Sequence, residues 1–389
     1  MNECTSIEGA TLNKLRLNSP PGRWFPALQD LSLRITESDL PWTDLFFSPH
    51  LKRIRIYVPW SLHNTPLPLG FLQTLASIIS ALPTSSLERV SVHTGYEEIP
   101  WAHFKDSFSS IILRCGPAFT ECDSPIPLSD AAMDHLIHLP HLHTWRINGP
   151  PPTYPTSSLP LIFPPLRELI LWEGAARGWL PLLRRLEDGA STEQCATPLS
   201  KAKKSLTVLY VVSNLDPSSF STIQCFRNLV DLTVGFQCPI RDDRVECIFK
   251  LNNDDVTKLA MALTQLGSLV LGRPCSENTC LTTVACLPPF SIHCSKLKTL
   301  QIHFNTTNIV DDLRNILEDP QFQQLRSLSE CPLTSLDVRE MPLRLHESDF
   351  EIVAKGMADI FPYLTDFNGV EESWDELSEE IADDQEVWE

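Results

Sequence analysis

The sequence predicts an α/β protein whose repeated coils stack along one axis, with a parallel sheet on the inner side and helices or loops on the outer side. Three observations lead there. The pattern Leu-x-x-Leu-x-(Leu/Ile/Val) begins at Leu12, Leu28, Leu51, Leu87, Leu142, Leu166, Leu206, Leu229, Leu266, Leu297 and Leu333, with degraded copies at Phe119 and Leu364. Successive copies start 16 to 40 residues apart, room for one strand and one return segment per coil. Several intervening stretches carry apolar residues at three-to-four spacing, the mark of a helix with one buried face.

The strands follow from the motif. Its last two apolar positions are two apart, so in an extended chain they point to one face and the residues between them to the other. The first leucine marks the turn into the strand. One such coil cannot bury its apolar face alone, whereas a stack can, so stability accrues between neighbours. The expected fold is a leucine-rich-repeat solenoid, an irregular horseshoe of about 12–13 repeats.

The outer segments are read as helices over Phe71 to Leu82, Ser129 to Leu139, Asp254 to Leu263 and Ile309 to Glu318, and as one more helix ending near Phe361 that opens on a Ser348/Glu351 capping box. Regular repeats of this kind often place asparagine eight positions after the first leucine, where its amide bonds the adjoining turns. Only Asn214 and Asn305 do so here, and Pro20, Pro59, Pro127, Pro150 and Pro274 stand there in other copies, so an uneven, kinked arc is expected.

A repeat array grows lengthwise, so 389 residues need not mean several domains. One solenoid over residues 1–370 is expected, with the stretches near Pro150 to Pro165 and Asp188 to Lys204 as inserted loops, followed by an acidic tail over residues 371–389. That tail holds ten of the 49 acidic residues and no Lys or Arg; 39 acidic residues against 31 basic ones remain for the rest. Its composition is that of a disordered, solvating segment. The alternative is that Trp374 and Trp388 with their acidic flanks occupy the basic strip described below.

No nucleic-acid binding is expected from a chain of formal net charge −18. No apolar run is long enough to span a membrane, and the first residues carry no signal-peptide pattern. An intracellular protein, cytoplasmic or nuclear, is expected, with its twelve cysteines reduced. Cys275, Cys280, Cys286 and Cys294 with His293 show gaps too wide and graded for a structural zinc site, and His135, His138, His141 and His143 lie at an ordinary entry into a strand. No metal or cofactor is expected. No phosphate-binding loop, nucleophile elbow, zinc-protease helix or dinucleotide fingerprint occurs, so no enzyme is expected.

Positions two, four and six after each first leucine should line the inner face. They run Lys14, Arg16, Arg34, Arg53, Arg55, Tyr57, Arg89, His93 and Arg146, then change to Ile170, Trp172, Val208, Tyr210 and Val212. A basic strip followed by an apolar, aromatic one suits a protein partner with acidic or phosphorylated residues at one end and a hydrophobic contact at the other. The partner-binding residues expected on this concave face are Arg53, Arg55, Tyr57, Arg89, His93, Arg146, Trp172 and Tyr210. The alternative is a solvated basic strip with no partner.

The runs from Arg114 to Pro152 and from Ile302 to Val338, with FEIVAKGMADIFPYL near the end, resemble the repeat region of the F-box/leucine-rich-repeat proteins of mushroom-forming fungi. In that family an F-box precedes the repeats and binds a Skp-type adaptor, which attaches the receptor to a cullin-RING ubiquitin ligase while the repeats present a substrate. The resemblance therefore implies the substrate-recognition part of such a ligase receptor. A Leu-Pro-containing, three-helix F-box is not recognisable ahead of Leu12, so adaptor and cullin are expected as partners only of a longer form. A free-standing scaffold or decoy without ligase coupling is the other expectation.

Overall fold

The computed structural model describes residues 25–34, 46–58, 69–94, 101–148, 166–172, 205–212, 217–235, 251–272, 280–326, 331–338 and 347–368. They fall into two compact units, one comprising residues 1–173 with 194–202 and the other 174–193 with 203–389. The repeat begun at Leu12, the Pro-rich stretch 150–165 and the acidic tail 371–389 lie outside the described residues.

In the first unit six strands pair in chain order, all parallel: β1 (Asp30–Arg34), β2 (Arg53–Val58), β3 (Arg89–Thr94), β4 (Glu121–Ser124), β5 (Thr144–Asn148) and β6 (Glu168–Trp172). In the second unit β7 (Val208–Val212), β8 (Asp231–Gly235), β9 (Ser268–Leu271), β10 (Thr299–Gln301), β11 (Ser335–Asp337) and β12 (Asp366–Asn368) do the same. Each strand starts two residues after the first apolar residue of a repeat, from Leu28 to Leu364 and including both degraded copies. The α/β repeat fold expected from the motif is present in both units.

The motif works through a recurring turn and a recurring carbonyl. The N–H of the first apolar residue donates to the carbonyl three positions earlier, as in Leu87 to Thr84, Phe119 to Gly116, Leu229 to Phe226 and Leu364 to Phe361. The turn brings the chain into the sheet. There the carbonyl just after the first apolar residue accepts from two successive N–H groups of the next coil: Lys52 O from Glu88 and Arg89, Glu88 O from Thr120 and Glu121, Val230 O from Gly267 and Ser268. Parallel pairing in register follows from repeating this one junction.

Burial alternates as the period-two pattern demands. In β2, Ile54, Ile56 and Val58 are buried while Arg53, Arg55 and Tyr57 are exposed. Helices complete the core. In α1 (Leu69–Ser80) Leu75, Ile78 and Ile79 are buried with Leu82 just beyond it; in α2 (Lys105–Arg114) Phe108, Ile111 and Ile112 are buried, followed by Cys115. Both sets have the i, i+3, i+4, i+7 spacing of one helix face. With α3 (Asp130–Ile137), which Ser129 caps by accepting from the Ala132 N–H, these helices pack side by side in chain order. Arg114 ties two of them together, donating through Nη2 to the Ser80 carbonyl at the end of α1 at 2.9 Å.

The second unit carries α4 (Pro217–Ile223), α5 (Asn253–Ala262), α6 (Pro288–His293), α7 (Ile309–Glu318), α8 (Pro320–Arg326) and α9 (Glu347–Ile360). A capping box does open a helix here, but at Asn252/Asp255 on α5; α9 starts at Glu347, so Ser348 lies within its first turn. Helix α9 packs on α7 through Gly356, whose missing side chain leaves room for Leu313. Asn305, one of the two expected asparagines, accepts from the Thr307 N–H at 2.9 Å and donates its own N–H to Thr282 O of the preceding turn at 2.7 Å. It bridges its own turn and the one before.

Cys115, Cys122, Cys280, Cys286, Cys294 and Cys331 are buried free thiols. Among the described residues no cluster of His, Cys, Asp and Glu is arranged to hold a metal ion, and no helix is long and apolar enough to cross a membrane.

Candidate protein-binding face

The sheet face turned away from the core in the first unit is built by the residues between the motif's apolar positions. Strand register sorts them into rows. One row reads Asp30, Arg53, Arg89, Glu121, Thr144, Glu168 across β1 to β6. The next reads Ser32, Arg55, Ser91, Asp123, Arg146, Ile170. A third holds Arg34, Tyr57 and His93 on β1 to β3, and Asn148 opposite Trp172 on β5 and β6.

Six expected residues thus meet on one face: Arg53, Arg55, Tyr57, Arg89, His93 and Arg146. Trp172 occupies the expected register position on β6, and its side chain lies outside what is described. Tyr210 belongs to the second unit, on β7 opposite Thr233, where burial pushes its phenol pKa up.

The rows differ from a basic strip in one respect that matters. Four carboxylates share the rows with the arginines, and most of the positive charge is answered within the sheet. Arg53 reaches Asp30 at 3.2 Å, Arg89 reaches Glu121 at 3.4 Å, and Arg146 spans Asp123 at 3.1 Å and Glu168 at 2.8 Å. Below the rows Lys52 pairs with Glu88 at 2.9 Å. Asp30, Glu121, Asp123 and Glu168 occupy the same offsets after Leu28, Phe119 and Leu166 that single out the arginines after Leu51 and Leu87. Applying the offsets to every copy, including the degraded one at Phe119, finds them.

Arg146 is the most enclosed of these pairs. Burial opposes its charge, but hydrogen bonds and attraction from Glu168, with Asp123 adding to them, outweigh that and hold its pKa above the ordinary arginine value. Asp123 is itself buried, and His93 Nε2 stands 3.7 Å from its Oδ2 and 2.6 Å from the Ser91 hydroxyl. Arg34 lies over the Tyr57 ring at 5.9 Å from its centroid, within cation–π range. Among the described residues Arg55 meets no carboxylate and no ring: its register neighbours are Ser32 and Ser91.

The corresponding rows of the second unit carry a different chemistry. They read Val208, Asp231, Ser268, Thr299, Ser335, Asp366 and Tyr210, Thr233, Val270, Gln301, Asp337, Asn368, with no basic residue. Among the described residues the chemistry shown on the two faces is charge pairing and hydrogen bonding. Against known proteins, the chain matches no family model and none of the curated proteins. Among solved structures it is similar to the Rad7 and Elc1 complex of yeast, at 13% sequence identity and a TM-score of 0.44, over 95% of this chain and 86% of that one.

Proposed function

We propose that this chain is a non-catalytic, protein-binding repeat domain that engages its partner on the exposed sheet face of the first unit. The observation that carries the reading is the strict division of β2, whose alternate side chains are buried Ile54, Ile56 and Val58 and exposed Arg53, Arg55 and Tyr57. A parallel sheet covered on both faces reads as continuous apolar sequence. Here one face is instead charged, aromatic and open, a surface suited to an external partner.

The resemblance to fungal F-box/leucine-rich-repeat proteins supports a more specific role, the substrate-recognition part of a ubiquitin ligase receptor of the F-box type. Affinity purification from cells expressing the protein tests both levels. A bound protein recovered with a Skp-type adaptor and cullin is the expected result for the receptor. A bound protein without them replaces that role by a free-standing scaffold or decoy. Reversing Arg53, Arg55 and Arg89 to Glu together is expected to abolish capture; undiminished capture removes this face as the binding surface.

A further inference from the structure

Five arginines and four carboxylates share the described rows of the first unit: Arg34, Arg53, Arg55, Arg89 and Arg146 against Asp30, Glu121, Asp123 and Glu168. The described rows therefore carry a net charge of +1, and because Arg146 takes two of the carboxylates, Arg34 and Arg55 are the arginines of the rows that meet none among the described residues. Arg53, Arg89 and Arg146 each meet a carboxylate from an adjacent strand, and Arg34 is engaged with Tyr57. Arg55 is flanked in register by two serines, and the hydroxyl of one of them, Ser91, is already 2.6 Å from His93 Nε2.

We propose that Arg55 anchors a carboxylate side chain of an acidic peptide segment in the bound protein, taking from the partner what its neighbours take from the adjacent strands. This rests on the protein-binding reading above and names the chemistry at one point of that face. A guanidinium can grip a carboxylate with two donors at once, as Arg146 does when its Nε and Nη2 both donate to Oε1 of Glu168 at 3.0 and 2.8 Å. A single carboxylate neutralises the excess. A phosphate monoester would add a second negative charge near Asp30, diagonal to Arg55 across β1, and Asp123, two strands away on β4.

The test is fluorescence anisotropy of the full chain with labelled peptides of alternating Glu and Ser, the same peptide with Gln for Glu, and the same with phosphoserine for Glu. The Glu peptide is expected to bind in a salt-sensitive manner. Arg55→Gln is expected to weaken it about fivefold or more, as loss of a charge-assisted hydrogen bond does. Arg314→Gln, which alters an exposed arginine already paired with Asp311 on α7, is expected to leave it within about twofold. Equal affinity for the Gln peptide, no effect of Arg55→Gln, or a phosphoserine peptide bound about tenfold tighter than the Glu peptide would each overturn the assignment. Arg55 is exposed, so its replacement leaves the fold intact, which a thermal melt verifies. A partner that binds Arg55→Gln undiminished but is lost on reversal of Arg53, Arg55 and Arg89 removes this assignment and keeps the protein-binding reading; a partner that survives both changes removes both.

Discussion

Arg146 on β5 reaches diagonally to Glu168 on β6, donating through Nε and Nη2 to its Oε1, and the remaining arm of the same guanidinium reaches Asp123, directly opposite on β4, at 3.1 Å. One side chain thus ties three consecutive coils. Asp123 is buried, so Arg146→Gln leaves a carboxylate with little water and only His93 at hand, and is expected to cost about 1–3 kcal/mol in urea unfolding. Arg89→Gln breaks the more exposed pair with Glu121 and is expected to cost under about 1 kcal/mol. Equal losses would show that the three-coil tie adds nothing.

How much of this was legible in the sequence divides along physical lines. The strands were, because the alternation that makes Ile54 and Ile56 buried and Arg53 and Arg55 exposed is written at period two, and it survives even where Phe119 and Cys122 replace leucines. Of the helices, α1, α3, α5, α7 and α9 were expected within a few residues, whereas α2, α4, α6 and α8 were not. Pro288 and Pro289 at the start of α6 resemble loop residues until one allows that proline suits the first helical turn. The face was legible as a list of arginines, but charge balance is a property of register. Asp30 belongs to Arg53, and Glu121 to Arg89, only once strands are paired.

The cysteines offer a direct check on packing. Burial pushes the Cys115 thiol up to about 12 against the opposing pull of Arg114, Cys294 up to about 12, and Cys331 up to about 11. Since the thiolate is the reactive form, alkylation of the native protein at pH 8 with residue-level mass mapping is expected to leave these three unmodified while half-buried Cys225 reacts. Labelling of Cys294 as fast as Cys225 would contradict the packing of α5 and α6 over this part of the sheet.

Asp231 bears on pH. Although Asp231 is exposed at the start of β8, partial desolvation raises its carboxyl pKa above the ordinary value, so the folded chain holds a proton that the unfolded chain has already released. Between the unfolded carboxylate value and the raised folded one, stability therefore falls as pH rises, and above the folded value the loss is complete. Asp231→Asn is expected to gain stability over the native protein as pH is raised from 3 toward 7, with the difference constant thereafter. A difference that shrinks with rising pH would reverse the sign of this account.

Gly356 and Leu313 test the contact between α9 and α7. A β-carbon at Gly356 would lie 3.1 Å from both methyl carbons of Leu313, whose side chain is fully buried and has little freedom to yield. Gly356→Val is expected to destabilise by about 1–3 kcal/mol through overpacking, despite replacing a helical glycine. A variant as stable as the parent would mean that the two helices separate at no cost.

On the proposed reading, the exposed sheet face of the first unit meets the partner protein. A photoreactive amino acid placed at Tyr57, which points outward from β2 beside Arg55, measures this most directly when compared with the same probe at Ser77, exposed on α1. Crosslinks to a partner from position 57 and none from position 77 are the predicted result. Crosslinks from position 77 alone would place the partner on the helical side and contradict the claim.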